Sequence, residues 1–405
     1  MSLVVSHAVR RLAPATALAV LAAACADPAR LPTAPAPSAA PELTSGPAQP
    51  AAERIPGQYI VVFRDDVADA DIDDKVKEKL RRGNGRLART YRAALKGFAG
   101  ELSEAEAAAL RDDPDVAYVE QDQLVYPTAT QSNATWGLDR IDQRSRPLSG
   151  TYTYTSTGSG VRAYIIDSGI LTGHTQFGGR ASNVYDGFGG NGQDCNGHGT
   201  HVAGTVGGST YGVAKNVMLR GVRVFQCSGG SANSVIIAGI DWVTANHIKP
   251  AVANLSLGGG YSQATNDAVT RLANTGVFVA VAAGNENQNA CNVSPASAPV
   301  VTTVAASTSA DAKASYSNYG SCVDLYGPGS SITSAWYTST SAINTISGTS
   351  MATPHVAGVA ALYKAARGDA SQATIDSWLK NNATTNVITG NVSGTPNRLL
   401  FKSTL

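Results

Sequence analysis

The sequence predicts an α/β fold with a doubly wound, mostly parallel sheet, preceded by a small α+β unit, and three observations point there. The apolar runs at 161–166, 252–257 and 277–282 are too continuous for half-exposed strands and suit strands covered on both faces. They alternate with helix-like stretches at 231–246 and 262–275, as parallel strands joined by crossovers do. A separate, shorter set of strand and helix signals lies upstream, between 55 and 128.

Taken in chain order, Arg10 and Arg11 precede an apolar run over 12–24 that is too short to span a bilayer and reads as an export signal within residues 1–25. Cys25 follows Leu21-Ala22-Ala23-Ala24, with the leucine one position further upstream than a lipoprotein box prefers, so lipidation and plain cleavage near Ala24 both stay open. Residues 26–54 are rich in Ala and Pro without apolar periodicity, the composition of a disordered spacer. The stretch 59–63 is a strand run, 72–80 carries helical charge spacing, and 98–102 is extended. Ser103 then opens a helix through Leu110, and 116–121 closes the unit as another strand. The large α/β domain is expected over 129–405.

The chain has 405 residues, 43% hydrophobic and 15% charged, which is enough to bury a large core. Its formal net charge of +1 offers no basic field for nucleic acid or an anionic membrane. After Cys25, four cysteines remain: Cys195, Cys227, Cys291 and Cys322. An exported chain can pair them, and the sequence alone allows three connectivities.

Three strings carry chemistry: Ile165-Ile166-Asp167-Ser168-Gly169, Asn196-Gly197-His198-Gly199-Thr200-His201 and Gly348-Thr349-Ser350-Met351-Ala352-Thr353-Pro354. They supply an acid, a base and a nucleophile. A serine hydroxyl attacks an amide only if an imidazole takes its proton, and a carboxylate must hold that imidazole in the right tautomer. Asp167 follows an apolar strand, where a turn-capping role is the bland alternative. His198 and His201 are three apart, which raises zinc binding, but the string lacks the glutamate of His-Glu-x-x-His. His201 is expected to support helix packing.

Ser350 precedes a small-residue helix expected over 351–362, with Pro354 in its first turn, and such a helix start aims N–H groups at a reacting oxygen. A serine there could also be a plain helix cap. The same string approximates a lipase nucleophile elbow, which needs an acid and a histidine downstream. The only later histidine is His355, inside the same helix, so that order fails.

With Asn254-Leu255-Ser256-Leu257-Gly258-Gly259-Gly260 and Ala282-Ala283-Gly284-Asn285 added, these blocks resemble the subtilisin-like serine proteases, proteinase K and aqualysin branch, from about Ala129 to Leu405. The resemblance implies a subtilisin-like catalytic domain, and it makes 55–128 a ferredoxin-like inhibitory propeptide. Segment 124–128 would run through the substrate cleft, and self-cleavage would fall between Thr128 and Ala129. Asn285 becomes the side-chain donor of the oxyanion hole.

By the same resemblance, an extended peptide adds as a strand between Ser256, Leu257 and Gly258 on one side and Gly229, Gly230 and Ser231 on the other. Gly258, Gly259, Ala282, Ala283 and Gly284 would wall an uncharged S1 pocket. Phe225, Ile236 and Leu257 would line S4. Calcium is implied at Pro299, Val301 and Asp324 through two carbonyls and a carboxylate. Asp139, Asp142 and Gln143 resemble part of a second site, where Ser149 and Thr151 depart from the pattern. Disulfides are implied for Cys195 with Cys227 and Cys291 with Cys322.

The expectation is therefore a secreted, self-processing serine endopeptidase. It is monomeric, free of stable membrane association and without a catalytic cofactor, and it acts on peptides and proteins with apolar or aromatic P1 residues. An inactive homologue serving as a peptide-binding scaffold would be expected to lose a triad member, and none is lost.

Overall fold

The computed structural model describes residues 54–81, 83–123 and 129–405, so the expected signal, the spacer, Cys25 and the cleavage segment ending at Thr128 lie outside it. The upstream unit comprises β1 (Arg54–Phe63), α1 (Ile72–Arg81), β2 (Arg86–Tyr91), β3 (Gly97–Glu101), α2 (Glu104–Arg111) and β4 (Val116–Gln123). Its sheet has the order β2-β3-β1-β4, with every pair antiparallel. Tyr59, Val61 and Phe63 on β1 alternate inward onto Phe98, Ile72, Val76 and Leu110. Ser103 caps α2 in a reciprocal box with Glu106, which satisfies two of the N–H groups that a helix start leaves open.

Residues 129–405 begin with β5 (Ala129–Ser132), α3 (Trp136–Asp142), β6 (Thr151–Tyr154), β7 (Arg162–Asp167), β8 (Ala181–Asp186), α4 (His198–Gly207) and β9 (Met218–Arg223). Next come α5 (Asn233–Asn246), β10 (Ala251–Leu255), β11 (Gly259–Gly260), α6 (Gln263–Asn274), β12 (Phe278–Ala282), β13 (Val293–Ser294), β14 (Thr302–Ser307) and β15 (Leu325–Pro328). The chain closes with β16 (Ile332–Ala335), β17 (Ile343–Ile346), α7 (Thr349–Arg367), α8 (Gln372–Asn382), β18 (Thr384–Thr385) and β19 (Arg398–Leu399).

The main sheet has nine strands in the order β18-β19-β15-β14-β12-β10-β7-β9-β8, parallel except for β18 against β19. The continuous apolar runs are explained by two cores. Ile165, Val252, Phe278 and Val304 pack on one face with α4 and α7, while Ile166, Ala253 and Val279 pack on the other with α5 and α6. Each strand residue is thus covered whichever way it points.

One expectation is corrected. Helix α7 starts at Thr349 rather than at 351, so Pro354 sits in its second turn. A proline there has no N–H for the Ser350 carbonyl. That carbonyl instead accepts the Ser256 hydroxyl at 2.7 Å, and the hydroxyl is itself held by Asn254 Nδ2 at 2.8 Å. The chain also forms β2, which the apolar pattern does not signal, because most of its residues face solvent.

Candidate active site

Asp167 ends β7, fully buried, at the carboxyl edge of the parallel sheet. Open α/β sheets place functional groups at that edge, since the loops there diverge from the core. His198 is the first residue of α4, whose cap Gly197 takes a left-handed φ of 107°. Glycine also recurs at 199, where a Cβ would lie 2.2 Å from the Gly169 carbonyl. The close approach of α4 to the β7 turn brings His198 Nδ1 to 2.8 and 3.0 Å from the two Asp167 oxygens. Burial alone would lower the imidazole pKa, but the facing Asp167 charge and hydrogen bond, with a smaller contribution from Asp194, turn the net shift upward.

Asp194 is the residue that sequence reasoning missed. One oxygen accepts from Ser168 Oγ and from the Asn196 and Gly197 amides, each at 2.9 Å. The other accepts from the Thr200 amide at 2.9 Å and its hydroxyl at 2.6 Å. Ser168 Oγ in turn accepts the Gly199 amide at 2.9 Å. This one carboxylate therefore ties the residue after Asp167 to the loop and helix start that carry His198. The sequence signal was an aspartate in a glycine-bearing loop, which reads equally well as a turn.

Ser350 is the second residue of α7, which packs against α4. Its hydroxyl donates to the Ser256 carbonyl at 3.2 Å, and no hydrogen bond joins it to His198 among the described residues. Free enzymes often hold a nucleophile this way until substrate arrives. At this helix position the Ser350 N–H has no intrahelical acceptor. Asn285 Oδ1 accepts the Thr349 amide at 2.8 Å and its hydroxyl at 3.0 Å, which fixes the amide plane. Its Nδ2 would stand 3.7 Å from a Cβ on Gly348, next to the Ser350 amide. The Ser350 amide nitrogen would stand 3.6 Å from the same point, so both donors border the residue pair Gly348 and Thr349 that leads into Ser350.

The remaining sequence-predicted residues fall into three groups. Gly229, Gly230, Gly258 and Gly259 are exposed, Ser231 is half-buried, and Ser256 and Leu257 are buried at the end of β10. Ile236 and Leu257 share one apolar cluster with the partly buried Phe225, as an S4 lining requires. Ala282, Ala283 and Gly284 are buried, with the Ala283 amide donating to the Val304 carbonyl at 3.0 Å, while Gly258 and Gly259 open to solvent.

His201 is buried with Nε2 on the Ile332 carbonyl at 3.0 Å, and burial pushes its pKa down to about 4. It packs α4 onto β16.

Both disulfides form as the resemblance implies, Cys195 with Cys227 and Cys291 with Cys322. The calcium expectations fit poorly. Asp324 gives one oxygen to the Thr303 amide at 2.7 Å and the other to Lys380 Nζ at 2.7 Å, so a cation already faces it. Asp139 accepts the Ser149 amide and hydroxyl and the Gly150 amide, all of them donors. Gln143 Oε1 accepts the Ser149 amide at 3.1 Å. Asp142 holds the Thr153 amide at 2.6 Å, with burial pushing its pKa up to about 6. Hydrogen-bond donors thus hold both oxygens of Asp324 and of Asp139, Gln143 Oε1 and one oxygen of Asp142.

Against known proteins, residues 158–399 match the Subtilase family and residues 58–128 match Peptidase inhibitor I9. The chain is 53% identical over 371 residues to an extracellular serine proteinase from Thermus sp. (strain Rt41A), covering 87% of this chain and 90% of that protein. It is 44% identical over 355 residues to a cuticle-degrading protease from Metarhizium anisopliae, covering 86% and 90%. The crystal structure of a cold-adapted subtilisin-like serine proteinase superposes with a TM-score of 0.65 at 52% identity, over 67% of this chain and 99% of that one.

Proposed function

Since the chain belongs to the subtilase family and is a serine protease carrying an I9 inhibitor segment, we propose that Asp167, His198 and Ser350 are its triad and Asn285 its oxyanion donor. The carrying observation is the Asp167–His198 pair, with the Asn285 amide oriented by Thr349 just ahead of Ser350. Ser350 Oγ leaves the Ser256 carbonyl and attacks the scissile carbonyl carbon while its proton passes to His198 Nε2. Asp167 keeps the Nδ1 proton in place and stabilises the imidazolium without taking the proton. The Ser350 amide and Asn285 Nδ2 bind the tetrahedral oxygen, whose charge develops only on the way to the transition state. The amide bond then breaks, the amine departs with the His198 proton, and water repeats the sequence on the acyl-enzyme.

The substrate lies as an added strand between 229–231 and 256–258. Cleavage follows apolar and aromatic residues, because no charged side chain is expected to wall the pocket by Gly258 and Gly259. The protein is secreted, as its apolar leader suggests, and processes itself between Thr128 and Ala129. N-terminal sequencing of secreted protein, with a peptide-library profile, tests both claims. A mature form beginning at Ala129 and a preference for apolar P1 support the reading. A mature terminus elsewhere refutes the proposed cut, and a preference for Lys or Arg refutes the pocket.

A further inference from the structure

The resemblance assigns a metal to the corner near Asp324, and the structure has another cation there. Lys380 lies one turn after Asp376 on α8, and its ammonium is 2.6 Å from Asp376 Oδ2 and 2.7 Å from Asp324 Oδ1. The outer oxygens of both carboxylates are tied to the sheet. Asp324 Oδ2 accepts the Thr303 amide at 2.7 Å, and Asp376 Oδ1 accepts the Thr302 hydroxyl at 2.9 Å. That hydroxyl accepts Gln372 Nε2 at 3.1 Å, so a second residue of α8 closes the same network. Side-chain exposures of 20% for Asp324, 18% for Asp376 and 27% for Lys380 mark a corner largely withdrawn from water.

Two carboxylates brought this close repel each other and lose hydration, and they need a cation between them. We propose that the Lys380 ammonium is the chain's own substitute for calcium at the Pro299, Val301 and Asp324 corner, clamping α8 to β14 and to the start of β15 without metal. A tethered cation cannot dissociate, so the stability of this corner does not depend on free calcium as a metal-held corner does. The proposal concerns the scaffold and does not rest on the catalytic reading.

The test uses secreted protein blocked with a serine-reactive inhibitor, melted in chelator and in millimolar calcium. The variants are Asp324→Asn, Lys380→Met and the pair combined. The expected result is that calcium raises the Tm of wild type and Asp324→Asn equally, any shared response coming from other sites. Lys380→Met should melt about 2–4 °C lower in chelator. It should regain most of that loss in calcium, and the recovery should vanish in the double variant. A calcium response present in wild type and abolished by Asp324→Asn overturns the proposal. So does a Lys380→Met protein that melts like wild type in chelator. If Lys380→Met does not fold, calorimetric calcium titration of wild type against Asp324→Asn decides: equal stoichiometry supports the tethered cation, and one site fewer in the variant refutes it.

Discussion

Replacing Asp194 by asparagine probes the acid–base pair most sharply without touching either member. Asparagine keeps the shape and one acceptor oxygen, but it turns an –NH2 group toward the Thr200 amide or toward the Ser168, Asn196 and Gly197 donors. The Thr200 hydroxyl can rotate to accept, whereas its backbone N–H cannot. At least one buried amide is therefore left without a partner, a loss of roughly 1–3 kcal/mol. For a domain of this size about 2 kcal/mol lowers Tm by roughly 4–8 °C. The second consequence is electrostatic. His198 faces the Asp167 and Asp194 carboxylates and the neutral His201 one turn on, and the Asp194 charge helps raise its pKa. Removing that charge lowers the pKa, so the base is free at lower pH and the acidic limb of kcat/KM moves to lower pH. The assay is a pH–rate profile on a neutral peptide substrate, with calorimetry on the inhibited protein. A purely structural aspartate would change Tm and leave the limb in place. An unmoved limb with full activity would refute the positioning role.

Asn285→Ala should lower kcat by roughly 10²–10³, the range known for the corresponding subtilisin asparagine, with little change in KM; equal kcat counts against the oxyanion role. Ser256→Ala removes the donor that satisfies the Ser350 carbonyl left open by Pro354, at a cost of roughly 1–3 kcal/mol in stability. An unchanged Tm would mean that the carbonyl has another partner. His355, 1% exposed, has its pKa pushed down to about 4 by burial. Its folded pKa is thus below the unfolded value, so its contribution holds above pH 6.5 and is lost as pH falls toward 4, by about 3 kcal/mol. His355→Gln should therefore gain roughly 6–12 °C in Tm relative to wild type over that window. A constant gap would contradict the buried neutral histidine.

The parts legible in the sequence share a physical cause. Strands β7, β10 and β12 are covered on both faces, so their residues form unbroken apolar runs, and Asp167 stands out where one run stops. The Ser103 cap was readable because its partners lie within one helical turn. Strand β2 was not, since most of its residues face water and carry no alternation. Pro354 misled in the opposite sense. Proline normally marks a first turn, and here a side chain from β10's end takes over the missing bond. Asp194 and Lys380 were invisible for a third reason. Their roles arise from partners on other elements, such as Ser168 for one and Asp324 for the other, and no local pattern encodes such meetings.

The most direct measurement is mass-spectrometric mapping of a fluorophosphonate probe on the secreted protein and on its Ser350→Ala and His198→Ala variants. The expected result is one adduct per chain on Ser350, labelling at least a hundredfold slower without His198, and none at that site without Ser350. Adduct on another residue, or a Ser350→Ala protein that labels as fast as wild type, would contradict the assignment.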